Sequence, residues 1–340
     1  MKVLYAIQGT GNGHLSRAIE VIPHLQNHVD LDILISGTQV DLKLPFPVKY
    51  RFQGLSFIFG KKGGIDIINT YLRSNSYRLL KEIKSLPVEN YDLVINDFEP
   101  VSAWAAHFKK VPCFALSNQC AALSPNAPKP KIKDPFGKLI LEKYAPSTAC
   151  YGFHFKRFDD NIYTPIIRKE IRELKVTNDG HYTVYLPAYD DERIMKHLSK
   201  FKDIRWEVFS KHNRYGFEER NIRVKPIQQE AFLKSLASCE GVLSAAGFGT
   251  TAEALFLNKK LLVIPMKTQY EQHCNAAVLR SMDVPVMKSL KKKHIHIMQD
   301  WLENGKAVEV NYPDNTAEIV EKMLSDFRSS ATVHKLKHMH

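Results

Sequence analysis

Ala246-Gly247-Phe248-Gly249-Thr250-Thr251-Ala252-Glu253 follows Glu240-Gly241-Val242-Leu243-Ser244, which reads as a short buried strand, and runs into helical spacing from Thr250 to Leu257. A strand, a glycine turn and a helix N-terminus make an anion site, because unpaired backbone N–H groups and the helix dipole point at one spot. Thr250 and Thr251 can add hydroxyl donors. Glu253 falls one turn into the helix, with the wrong charge for a phosphate but the right chemistry to accept bonds from sugar hydroxyls. The combination suggests a nucleoside diphosphate with its ribose alongside. Downstream come Pro265 and then Glu271-Gln272-His273-Cys274-Asn275-Ala276.

Outward from this stretch, strand-like and helix-like segments alternate. Val3–Gln8, Leu31–Ile35, Val48–Phe52, Leu93–Asn96 and Cys113–Leu116 read as strands, with helices at His14–Leu25, Ile65–Lys84 and Val101–Phe108. The pattern then repeats, with strands at Tyr182–Leu186, Trp206–Phe209, Gly241–Ser244 and Leu261–Ile264. Helices at Glu192–Lys200, Gln229–Leu236, Thr250–Leu257 and Gln272–Arg280 accompany them. Such alternation predicts an α/β fold of two Rossmann-like parallel-sheet domains facing across a cleft. The expected divisions are residues 1–160, 161–328 and a basic, disordered tail at 329–340, with a last helix over Asn315–Phe327 packing back on the first domain.

The 340 residues suffice for two cores, and 44% hydrophobic with 25% charged content is ordinary for a globular chain. No apolar run is long enough to span a bilayer, and the N-terminus reads as a first strand, not a secretory signal. The five cysteines are scattered without a CxxC, which argues against a disulfide framework or zinc site and for a reducing cytoplasm. A net charge of +12 attracts polyanions. No nucleic-acid module accompanies it, so a phosphorylated substrate or an anionic membrane face ranks above nucleic acid. Ser124–Tyr144, rich in Pro and Lys, and Gly54–Gly64 read as loops. Either they are simply solvated, or they rest on anionic lipid with Phe57, Ile58 and Phe59 dipping into the headgroups.

Gly9-Thr10-Gly11-Asn12-Gly13-His14 links the first strand to the first helix. A dinucleotide fingerprint fails here, because position 14 is His where a third Gly is needed, and the second strand ends in Ser36-Gly37 without an acid. The P-loop pattern fails for want of Gly-Lys-Ser/Thr. The loop still lets a ligand approach the backbone, and His14 in the first helical turn can face that space. A catalytic histidine usually needs an orienting carboxylate. Asp97, at the carboxyl edge of the same sheet, is the candidate, with Glu99 as a weaker one; the bland reading of Asp97 is an N-cap for Val101–Phe108. Asp30-Leu31-Asp32 has the spelling of a metal-binding loop but sits at a strand start and reads as chance.

These blocks resemble the GT-B-fold glycosyltransferases, in particular the MurG-like and UDP-glycosyltransferase groups (family 28/1 type). Their signature His-Cys-Gly-x-Asn-Ser-Thr-x-Glu lies on Ala245–Glu253 without a gap, and their Asp-Gln-x-x-Asn-Ala block on Glu271–Ala276. The resemblance implies that Gly247, Gly249, Thr250 and Thr251 hold the donor diphosphate, Glu253 the ribose, and Glu271 and Gln272 the donor sugar. It makes His14 the general base and Asp97 its partner, with Gly11, Asn12 and Gly13 in an acceptor or phosphate loop. The signature's leading histidine is Ala245 here, and the loop departs from the MurG spelling Gly-Gly-Thr-Gly-Gly-His.

The activity implied is an inverting, metal-independent transfer of a sugar from a nucleotide diphosphate, a UDP-sugar, to a hydroxyl acceptor, with a lipid-linked or cell-envelope glycan as candidate. The nucleotide sugar is a substrate, and neither cofactor nor metal is expected. Lys267 or Arg193 can add charge at the diphosphate. The alternatives are a sugar-nucleotide 2-epimerase or hydrolase on the same fold, and a sugar-nucleotide or lipid-binding protein without turnover. The expected location is the cytoplasm, peripheral to the inner membrane face.

Overall fold

A computed structural model describes residues 1–39, 44–55, 59–60, 64–65 and 76–337. The first sheet comprises β1 (Lys2–Thr10), β2 (Asp30–Gln39), β3 (Tyr50–Phe52), β6 (Leu93–Asp97), β7 (Cys113–Ser117), β8 (Ala149–Phe153) and β9 (Ile162–Tyr163). Its order is β3-β2-β1-β6-β7-β8-β9, all parallel. A separate antiparallel pair joins β4 (Phe59–Gly60) to β5 (Gly64–Ile65). The second sheet comprises β10 (His181–Tyr185), β11 (Arg205–Ser210), β12 (Phe217–Glu219), β13 (Ile222–Pro226), β14 (Gly241–Ser244) and β15 (Lys260–Val263). Its order is β12-β13-β11-β10-β14-β15, parallel except at the β12 edge. Buried on both faces, β1, β6 and β14 have the continuous apolar runs that helix-covered parallel strands require.

Twelve α-helices are described, and six position the site: α1 (Asn12–Gln26), α3 (Pro100–Lys109), α4 (Asn118–Ala122), α5 (Pro135–Lys143), α9 (Phe248–Phe256) and α10 (Tyr270–Arg280). In each sheet the strand order reverses where a loop of interest emerges. β1 lies between β2 and β6, and β10 between β11 and β14. Ligands in open α/β sheets bind in the crevice outside the strand ends at these reversals.

The last helix, α12 (Thr316–Lys337), packs back on the first domain. Ile319, Val320, Met323, Leu324 and Phe327 enter the same core as Leu15, Val21 and Ile22 of α1. Tyr151 Oη donates to Asp326 Oδ2 at 2.7 Å. Each such fully buried side chain contributes about 1.5–3 kcal/mol, so the helix belongs energetically to the domain it crosses back to.

Several expectations need correction. The helix runs to Lys337, past the tail expected from Ser329. Ser124–Tyr144 is not all loop: Asp134 Oδ1 accepts from Gly137 N at 2.8 Å and caps α5, with Pro135 at the first turn. Of the helix expected over Ile65–Lys84, Ile65 belongs to β5, the described part is Ser76–Ser85, and residues 66–75 lie outside the described residues. Phe57 and Ile58 lie outside them too, and of Phe59 only the backbone is described. The first sheet takes in Ile162–Tyr163, beyond residue 160. Against the expectation of free thiols, Cys120 and Cys150 form a disulfide. Scattered spacing hid it because α4 folds directly onto β8, so closely that a Cβ on Gly152 would come within 2.7 Å of Ala121 Cβ.

Candidate active site

At the first switch point, β1 and β6 lie side by side with Ile7 opposite Asp97. The chain leaves β1 through Gly11, whose φ of 91° is left-handed backbone, and enters α1 with no side-chain cap. Gly11, Asn12 and Gly13 are exposed, so the helix N-terminus opens to the cleft. His14 lies one turn in. Its Nδ1 is 2.8 Å from Asp97 Oδ1.

Asp97 is fully buried, and Arg17 forks onto it, with Nε 2.9 Å from Oδ2 and Nη2 2.5 Å from Oδ1. Burial alone would raise the Asp97 pKa; the Arg17 cation, His14 and their hydrogen bonds outweigh it and hold the carboxyl below its ordinary value. An ionised carboxylate only accepts, so His14 Nδ1 turns a proton toward Asp97, and in the neutral tautomer this leaves the lone pair on Nε2. Arg17 was not anticipated. Its signal was its place one turn after His14, on the same face of α1.

Glu99, not Asp97, caps α3. It accepts from Val101 N at 2.7 Å and Ser102 N at 2.6 Å, and from Ser36 Oγ at 2.6 Å. That removes the N-cap reading of Asp97 and the orienting reading of Glu99 together. Between the two acids, Phe98 adopts φ 55°, rare for a bulky residue, and its ring meets Tyr144 at 4.7 Å between centroids.

At the second switch point, Gly247 precedes α9 without a side-chain cap, and Gly249 is exposed. Thr250 is half-buried, with its hydroxyl uncommitted among the described residues. Thr251 is a correction: it is buried, and its Oγ1 donates back to Gly247 O at 2.6 Å, so it offers no hydroxyl to a ligand. Glu253 is buried against Arg168, whose Nε donates to Oε1 at 2.8 Å. Burial raises the Glu253 pKa, and Arg168, shared with Glu170, only partly offsets the rise.

The expected sugar-binding pair is engaged within the protein. Asn118 Nδ2 donates to Glu271 Oε1 at 2.8 Å and Gln119 Nε2 to Oε2 at 3.1 Å, bonds from the first domain to the second. Asn118 Oδ1 also accepts from Arg17 at 3.2 Å, so one chain of contacts joins His14, Asp97, Arg17, Asn118 and Glu271. Gln272 Oε1 accepts from Met266 N at 2.9 Å, and Asn275 Nδ2 donates to Ala246 O at 3.0 Å, pinning α10 to the glycine turn. A cleft lined by His14, Phe98, Tyr144, Gln119, Tyr270 and Glu271 lies between the domains. Arg193 stacks on Tyr189 at 5.1 Å and donates to Leu290 O, while Lys267 is exposed. Asp32 is bound to Lys49 at 2.6 Å and Tyr91 at 2.7 Å, a structural role. Among the described residues no group of three or more His, Cys, Asp or Glu is placed to hold a metal ion.

The model of glycosyl transferase family 1 matches residues 1–304. The chain belongs to that family. Solved glycosyltransferase structures share the fold of this transferase. UGT89C1 of Arabidopsis thaliana complexed with UDP superposes with a TM-score of 0.57 at 11% identity, covering 96% of this chain and 99% of that one. The spinosyn forosaminyltransferase SpnP gives 0.56 at 13%, covering 100% and 99%. MurG of Acinetobacter baumannii gives 0.54 at 12%, covering 95% and 99%. No curated protein matches the chain. The GT-B architecture is therefore established along with the glycosyltransferase class.

Proposed function

We propose that this glycosyltransferase moves a sugar from a UDP-sugar to a hydroxyl acceptor, with inversion and without a metal. The observation that carries the reading is the His14 Nδ1 to Asp97 Oδ1 contact of 2.8 Å at the cleft between the domains. With Nδ1–H given to Asp97, His14 Nε2 is free to take the proton of an acceptor hydroxyl. The acceptor oxygen attacks the anomeric carbon as the bond to the diphosphate breaks on the opposite face, which inverts the centre. Negative charge grows on the leaving diphosphate, and the uncapped start of α9 at Gly247, Gly249 and Thr250 stabilises it. Asp30-Leu31-Asp32 is no rival metal loop, since Asp32 is committed to Lys49 and Tyr91.

In this reading Glu253 takes ribose hydroxyls on the oxygen not given to Arg168, and Glu271 takes donor-sugar hydroxyls on the lone pairs that Asn118 and Gln119 leave open, while Gln272, held by Met266, only positions the start of α10. Gly11, Asn12 and Gly13 line the acceptor side. UGT89C1 complexed with UDP, on the same fold, supports UDP as the nucleotide. Calorimetric titration with UDP, GDP and dTDP in EDTA tests the donor site. UDP is expected to bind wild type and His14→Ala alike, with transfer lost only in the variant. Binding that requires a divalent ion, or no UDP binding, refutes the reading.

An anionic membrane surface belongs to the same proposal. Ile132, Phe136 and Leu139 are 38%, 50% and 50% exposed, among Lys131, Lys133 and Lys138. Apolar side chains ringed by lysines suit an acidic lipid face and a lipid-linked acceptor. Among the described residues no helix is long and apolar enough to cross a membrane. Sedimentation with phosphatidylglycerol vesicles, lost in Phe136→Asp, is the check; equal sedimentation of the variant removes the membrane face.

A further inference from the structure

Two carboxamide oxygens in the cleft point to the chemistry of the acceptor. Gln8 and Gln119 are each 3% exposed, and each is oriented by a partner that can only accept. Gln8 Nε2 donates to Leu55 O at 3.2 Å, and Gln119 Nε2 donates to Glu271 Oε2 at 3.1 Å. Each Oε1 is thereby fixed as the acceptor end of its carboxamide, and both oxygens are buried. Neither has a donor among the described residues, and the same holds for Gln269 Oε1 in the same cleft. Buried acceptors are almost always paired, so unpaired ones gathered in one cleft mark a place where a ligand brings the donors.

The opposite character lies beside them. Phe98 and Tyr144, with ring centroids 4.7 Å apart and planes 30° apart, give the cleft an aromatic wall. A ligand with a C–H face and several O–H or N–H groups matches both. A flat phenol does not: its one or two hydroxyls are used by the base and leave the carboxamides unpaired. We propose that the acceptor is a saccharide, one pyranose face resting on Phe98 and Tyr144 and its hydroxyl or amide groups donating to Gln8 and Gln119. This rests on the reading of His14 as the acceptor's base, and it makes both glutamines specificity-determining residues. Sites built to hydrogen-bond a substrate reject analogues lacking the donor far more strongly than apolar pockets reject a change of size.

The test is titration and saturation-transfer NMR on the full chain with UDP present. The probes are methyl β-glycosides of glucose, galactose, N-acetylglucosamine and N-acetylmannosamine, with 4-nitrophenol as the flat comparison. At least one glycoside is expected to bind with saturation at its ring protons. Gln119→Met or Gln8→Met is expected to weaken it about tenfold, the size of one good hydrogen bond, with UDP affinity unchanged. Melting curves check folding; if Gln8→Met does not fold, Gln119→Met decides alone. Glycoside binding indifferent to the substitutions, phenol binding in place of glycosides, or no glycoside binding while UDP binds overturns the proposal and leaves the donor site standing. Failure of UDP itself to bind removes the donor reading and the acceptor proposal together.

Discussion

The starts of α1 and α9 are built alike and behave oppositely. Each follows a strand at a switch point, opens with glycine and lacks a side-chain cap, and each sits near a buried carboxylate paired with an arginine. At α1, Arg17 forks onto Asp97 and His14 adds a third bond, so the carboxyl is held below its ordinary value against the cost of burial. At α9, Glu253 has one bond from an Arg168 divided between two acids, and burial wins, raising its pKa. The His14 side is organised before any ligand arrives, as the proposed base requires. The Glu253 side, the proposed donor site, keeps a carboxylate that gains by meeting further hydrogen-bond donors.

The largest expected effect lies on the organised side. His14→Ala should lower kcat by about 10²–10⁴, the usual weight of a general base, while the Kd for UDP stays within about twofold. Comparable loss of UDP binding would show that α1 serves the donor and that the division of labour is wrong. Next comes Arg17→Met, which strands a buried carboxylate and should cost about 3–5 kcal/mol in urea unfolding. Arg168→Met is the matched control. Glu253 is already displaced toward its neutral form and can take up a proton, so less than about half that loss is expected. Equal losses would break the comparison.

These differences were unevenly legible in the sequence. The glycine turns, His14, Asp97 and the two-sheet layout follow from local spelling, because strand, turn and helix start are written in consecutive residues. Arg17 hid in an ordinary helical face, and its partner Asp97 is 80 residues away. Thr251 and Gln272 were read as ligand donors, yet the helix turn and Met266 N consume them, which only packed geometry reveals. The Asn118 and Gln119 contacts to Glu271 cross between domains, where no spacing rule reaches. Strand β8 was overlooked because Gly152 interrupts a short run, and that glycine is there to admit Ala121.

The smallest effect is also the sharpest, because its sign differs between the two carboxylates. Glu253 has a raised folded-state pKa, so between its ordinary and raised values the folded protein holds more protons than the unfolded chain. Its contribution to stability therefore falls as pH rises through that window. Glu253→Gln should be more stable than wild type at neutral pH, by about 1 kcal/mol or less, and the gap should close on acidification. Asp97 has a depressed folded-state pKa, so its contribution is fully present above its ordinary value and is lost as pH falls through the folded one. Asp97→Asn should be less stable than wild type at neutral pH, with the difference shrinking only in acid. Urea midpoints for both variants from about pH 2 to about pH 8 measure the two slopes. Slopes of the same sign would mean that Arg168 compensates Glu253 as fully as Arg17 compensates Asp97, and the donor side would then be as settled before binding as the base.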